Sequence, residues 1–202
     1  MATNFELIFK NNSGKSGDVC IFLQEPNEDD LKSLVWLSKD ANPDTTVTFQ
    51  WAAEYSVVWS ETEVKNGVTI TSSQVLPAGL DQDNKITLTK IDDAYQFINQ
   101  TTDPDSNGSI TIFCDNSVVS NQATIGIEIS GVITTNIPAS PGFSNMITPT
   151  NKYWIAFGNF TEREILDTET FTKAAEIDFS SGINNMTAIL NADDTWTIEP
   201  TN

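Results

Sequence analysis

The sharpest arrangement of chemistry-bearing residues in this chain is Asp103-Pro-Asp105-Ser-Asn107-Gly108-Ser-Ile110. Oxygen-bearing side chains alternate along it, a glycine follows, and an apolar residue comes next but one. That is how a calcium loop begins, because alternate side chains converge while glycine permits the sharp turn. Asp103, Asp105 and Asn107 are the candidate ligands. The twelfth position is Cys114, where such a loop needs a bidentate Glu, and no flanking helices are evident. The plainer reading is a polar hairpin turn, and calcium is the candidate cofactor beside it.

Two other residue sets bear on chemistry. Glu54, Glu61 and Glu128 are candidates for an acid–base pair, which in glycosidases needs carboxyls about 5–10 Å apart. Among 28 acidic residues, a solvated surface explains them more simply. Trp36, Trp51, Trp59, Trp154 and Trp196 could stack on sugars, yet most alternate with apolar residues as core positions do. Gly14-Lys15-Ser16 resembles the end of a phosphate-binding loop. The position five before Gly14 is Phe9, so the required first glycine is missing.

Composition removes whole classes. There is no histidine, which excludes Ser-His-Asp and Cys-His nucleophiles and every His-ligated zinc or copper site. Cys20 and Cys114 cannot supply the four thiolates of an all-cysteine zinc site. Both lie in strand-like runs and read as buried thiols, with a disulfide open only to neighbouring strands. The charge is one-sided, with 28 acidic against 10 basic residues and a net −18. Such a surface repels phosphate backbones and anionic lipid, so no nucleic-acid partner is expected. No run of about 18 apolar residues occurs, so no membrane insertion is expected. The start, MATNFELIFK, lacks a basic leader and a long apolar run. The expected location is cytoplasmic, or outside the cell by export without a cleavable signal peptide.

The elements that must position these residues are strands. Val47 to Ser60 alternates an apolar face (Val47, Phe49, Trp51, Tyr55, Val57, Trp59) with a mostly polar one. It reads as the floor of the core, with a bend near Ala52-Ala53-Glu54. Phe5–Phe9 and Val19–Leu23 form a hairpin around the Asn11–Gly17 turn. Glu25–Lys39 reads as an acidic loop followed by a strand over Ser33–Ser38. Lys65-Asn66-Gly67 marks a hairpin, and Leu76–Leu80 a loop. Further strands are expected over Lys85–Thr89, Tyr95–Gln100, Ser109–Cys114, Ala123–Ser130, Tyr153–Phe160, Ile177–Phe179, Met186–Leu190 and Thr195–Ile198. Gly126 implies close backbone approach. Thr134–Thr150, with Pro138, Pro141, Gly142 and Pro149, reads as the longest irregular connection. Asp167–Ala175 has room for one helical turn. No fixed-period repeat and no linker are visible. Strands and turns about every ten residues predict an all-β, mainly antiparallel β-sandwich, with residues 1–202 as a single domain.

Leu34-Val-Trp-Leu-Ser-Lys39, Tyr55-Ser-Val-Val-Trp-Ser-Glu-Thr62 and Met186-Thr-Ala-Ile-Leu-Asn-Ala-Asp193 resemble the rhizosphere-expressed RhiA proteins of rhizobia. The resemblance implies a bacterial-type, soluble, single-domain protein. It carries over no activity and no functional residue.

The function expected from these readings is non-enzymatic. A self-associating or structural protein comes first, because Thr124–Ser130 carries only Glu128, with no Pro or Lys to block strand pairing. The partner is then a second copy, as a homo-oligomer. The alternative is a glycan or small-ligand module, assisted by calcium. A carboxylate-dependent hydrolase comes third.

Overall fold

The computed structural model describes residues 3–23, 32–61, 68–166, 173–179 and 182–201. The strands begin with β1 (Asn4–Asn11), β2 (Gly17–Phe22), β3 (Lys32–Ser33), β4 (Leu37–Ala41), β5 (Thr46–Ala52) and β6 (Tyr55–Ser60). Next come β7 (Gln74–Ala78), β8 (Lys85–Ile91), β9 (Ala94–Thr101), β10 (Ile110–Cys114), β11 (Thr124–Ile129) and β12 (Val132–Pro138). Last are β13 (Ser144–Ile147), β14 (Lys152–Gly158), β15 (Ala175–Asp178), β16 (Asn185–Leu190) and β17 (Trp196–Pro200). One turn of 3-10 helix, Pro104–Ser106, interrupts them. The fold is all-β and mainly antiparallel, as the alternating pattern dictates.

Sandwich packing occurs twice. Sheet β17-β16-β1-β5 faces sheet β15-β14-β2-β4 across a core that includes Phe9, Phe49, Trp51, Ile21, Tyr153 and Ile155. Sheet β13-β10-β8-β9 faces sheet β3-β12-β11-β6-β7 across a second core with Ile86, Leu88, Ile112, Val57, Trp59 and Ile127. Apart from β3, the second sandwich is inserted between β5 and β14 of the first. The bend expected at Ala52-Ala53-Glu54 is the crossing point. It sends β5 into one sheet and β6 into another, so the expected single floor serves two cores. Tyr55 packs against both. The Ser130 hydroxyl clamps the crossing, donating to the Ala52 carbonyl (2.8 Å) and accepting from its N–H (2.9 Å). The Trp36 indole N–H reaches the Ile129 carbonyl (3.0 Å).

The two sandwiches share one topology with different chain starts. Reading β14, β15, β16, β17, β1, β2, β4, β5 reproduces the pairing of β6 through β13, step for step. Each has one parallel pair at the centre of its first sheet, β1 with β16 and β8 with β10. All their other strand pairs are antiparallel. This is an internal repeat in circularly permuted order, so no fixed period exists to be seen in the sequence.

Five local expectations differ from the structure. Phe5–Phe9 and Val19–Leu23 are not a hairpin: β1 pairs with β16 and β5, and β2 with β14 and β4, in different sheets. Residues 134–150 include the end of β12 and all of β13, because the prolines fall at the end of β12, in the turn that follows and after β13. Residues 76–80 contribute to β7, where Pro77 sits on an edge strand that can lack a donor. The strand expected over Ser33–Ser38 is broken, and Leu34, Val35 and Trp36 are buried between β3 and β4. Thr124–Ser130 is not an edge: β11 is paired on both sides, with β12 and β6. Gly126 does mark close approach, since a Cβ there would lie 1.9 Å from the Thr135 carbonyl oxygen. Glu25–Leu31, Lys65-Asn66-Gly67 and the start of Asp167–Ala175 lie outside the described residues.

Candidate functional site

The Asp103 loop is built as a capped turn. The buried Asn84 side chain donates to the carbonyls of Asp103 and Ser106 (both 3.1 Å) and accepts from the Asp103 N–H (2.7 Å). One Asp103 carboxylate oxygen caps the 3-10 turn by accepting the Asp105 N–H (3.1 Å). The other takes the Lys85 ammonium at 2.8 Å. The Lys85 and Asp105 hydrogen bonds hold the Asp103 carboxyl below its usual value. Asp105 is exposed, and Asn107 lies just past the turn. Lys85 therefore competes with any cation for the Asp103 carboxylate. Among the described residues, no three His, Cys, Asp or Glu side chains are grouped to hold a metal.

The three carboxylates do not form one group: Glu128 lies opposite Ser56 near the Glu54 end of β6, but it is buried while Glu54 is exposed. Glu54 and Glu61 sit at opposite ends of β6, roughly 23 Å apart at about 3.3 Å per residue. That is too far for an acid–base pair. Glu128 is buried and accepts from the Ser72 hydroxyl (3.0 Å). Trp36, Trp51 and Trp59 are core residues, which leaves Trp154 and Trp196 partly exposed. Cys20 and Cys114 are free and buried in separate apolar clusters. Burial raises both thiols, Cys114 to about 11, so neither is an activated nucleophile.

The edge strand β13 is a feature that the flanking prolines conceal in the sequence. Met146 on it and Phe143 just before it are 56% and 65% exposed. In the repeat they correspond to Thr45 and Thr48 of the other sandwich, so the fold does not require apolar residues there. The equivalence is fixed by the main chain: the Asn11 N–H donates to Thr45, and the Cys114 N–H to Phe143. A readable signal existed, since no charged residue occurs between Glu128 and Lys152.

Edge strands elsewhere carry protection against pairing with other chains. The Lys39 ammonium caps the Thr48 carbonyl of β5 (2.7 Å). Charged side chains stand on β4 (Lys39, Asp40), β15 (Glu176, Asp178) and β17 (Glu199). Edges β7 and β9 are bridged to each other by Gln74 and Gln100. β3 is only two residues long. β13 has none of these devices among the described residues.

The model of the RhiA family matches residues 2–201 of the chain. The chain is also similar to Protein RhiA of Rhizobium leguminosarum bv. viciae, at 29% identity over 203 residues, covering 98% of this chain and 87% of that protein. No solved structure matches it. Among the described residues, no helix is long and apolar enough to cross a membrane.

Proposed function

The chain belongs to the RhiA family, and we propose that it acts by self-association, without catalysis, through the β13 edge. The observation that carries this reading is the exposed Met146 on the uncharged edge strand β13, with the exposed Phe143 immediately before it. The occupant is a second copy of the chain. Two molecules at −18 each repel over most of their surfaces, so a self-contact must use the uncharged patch. A basic partner would gain more from the acidic surface elsewhere. Antiparallel pairing of β13 with its own copy is symmetric and joins two four-stranded sheets into one. Sedimentation velocity tests it. Association should strengthen with salt, and as pH falls toward the pI of about 4.1, because both weaken the repulsion. A strict monomer under all these conditions would remove the reading.

A further inference from the structure

Among the described residues, the first sandwich has an open cleft where the second is sealed. Trp196 and Phe97 are equivalent positions. Trp196 lies opposite Leu190, whose carbonyl accepts the Asn12 N–H (2.9 Å). Phe97 lies opposite Leu88, whose carbonyl accepts the Asp115 N–H (3.0 Å). Beyond Phe97, β8 and β9 continue through three more pairs, Thr89–Gln96, Lys90–Tyr95 and Ile91–Ala94. The Val119 N–H meets the Tyr95 hydroxyl (3.3 Å), and Val118 is buried in the same cluster. Phe97 is therefore covered. Beyond Trp196 the hairpin turns back at once through Asp193 and Asp194. A cleft of about 830 Å³ remains, lined by Trp196, Phe157, Lys15, Lys173, Asn159 and Asp194 among others.

Its aromatic wall is rigid. Trp196 and Phe157 both rest on the buried Phe9 ring, with centroids 5.9 and 6.2 Å away. The Trp196 indole N–H donates to the Lys173 carbonyl (3.1 Å), which fixes the ring plane. The rim is polar. Lys15 donates to both oxygens of Asp194 (2.8 and 2.6 Å), while the Lys173 ammonium has no ion pair among the described residues. Two of only 10 basic side chains thus line one cleft of a chain at −18.

We propose that this cleft binds a saccharide carrying a carboxylate. The sugar ring lies on Trp196 and Phe157, and the carboxylate meets Lys173. Apolar walls with a few placed polar groups are how small-ligand sites achieve both affinity and orientation. The acidic surface repels any anion at a distance, so an anionic ligand requires a local cation, whereas a neutral sugar does not. The proposal is independent of association through β13.

The test is calorimetric titration of the full chain with α-1,4-linked trigalacturonate and with its methyl ester, followed in parallel by tryptophan fluorescence. Trigalacturonate should bind, and the ester should bind about fivefold more weakly or worse, because the charge-assisted bond is lost. Lys173→Gln should reduce trigalacturonate affinity by a similar factor and leave the ester unchanged. Trp196→Ala should lose about tenfold or more for both, as removal of a central aromatic contact does. Trp196→Phe keeps a ring on Phe9 and should retain part of the binding. Equal affinity for acid and ester, or no binding of either at about 10 mM, a limit near the weak end of measurable affinity, would overturn the proposal.

Discussion

Asp44 and Gly142 occupy the same place in two turns of the repeat. Each follows a proline, Pro43 or Pro141, and each has left-handed backbone, with φ of 60° and 76°. Each donates its N–H, at 2.8 Å, to the carbonyl at the end of a central strand, Asn11 or Cys114. Each turn closes through its next residue, Thr45 to Asn42 (3.3 Å) and Phe143 to Ser140 (3.4 Å). Proline first and a left-handed residue second is the pattern of a type II turn.

That equivalence predicts opposite effects from exchanging the two residues. Asp44→Gly should stabilise or be neutral, because glycine adopts positive φ without a Cβ clash. Gly142→Ala should cost about 1 kcal/mol or more. Its new Cβ would also approach the Asn116 side-chain oxygen to 3.1 Å. Urea unfolding of both variants checks this. A Gly142→Ala protein as stable as the parent would contradict the turn assignment.

Trp51→Ala should cost about 3–5 kcal/mol through the cavity left behind. The ring lies 5.0–5.7 Å from the rings of Phe5, Trp36, Tyr153 and Phe179. Among the described residues its indole N–H has no well-formed hydrogen bond, only a weaker interaction with the Tyr153 hydroxyl, so Trp51→Phe should cost much less than Trp51→Ala. Thermal unfolding of the pair decides. Trp51→Ala melting with the parent would remove the residue from the first core.

The alternation of Val47–Ser60 was legible because side-chain parity is local. Its division between two sheets was not, because pairing depends on residues far away in the chain. The same reason made Thr124–Ser130 look like a free edge. Its low charge is that of a central strand, covered by β6 and β12. The prolines around β13 disguised a strand as a loop, so Phe143 and Met146 went unnoticed. Gly126 was readable because a backbone contact leaves no alternative residue. The repeat was hidden by permutation: its halves share turn geometry at Asp44 and Gly142 more than residue identity.

For the Asp103 loop, Lys85→Met should bind calcium more tightly than the parent, since the competing ammonium is gone. Asp105→Ala should bind it less. Calorimetry showing no heat in any of these proteins at millimolar calcium, the range of weak extracellular-type sites, would exclude the metal. Asn84→Ala should destabilise by about 2–3 kcal/mol, because three backbone groups lose their partner.

Stability should fall in acid. Asp103 is held low by Lys85 and the Asp105 N–H, and Asp193 by the Thr195 hydroxyl and N–H. A depressed carboxyl contributes stability above its unfolded value of 3.8, and loses it as pH falls through the lower folded value. Melting temperature should therefore drop below about pH 4. Lys85→Met should flatten part of that drop. A melting temperature unchanged down to about pH 2 would show that these bonds are not formed in solution.

The most direct measurement is sedimentation velocity of the parent beside a Phe143→Asp, Met146→Lys double variant, near neutral pH and at high salt. Both side chains are exposed, so the variant should fold and melt close to the parent. The parent should associate as salt rises, and the variant should remain monomeric in the same buffers. A variant that associates as the parent does, or a parent that stays monomeric throughout, would contradict it.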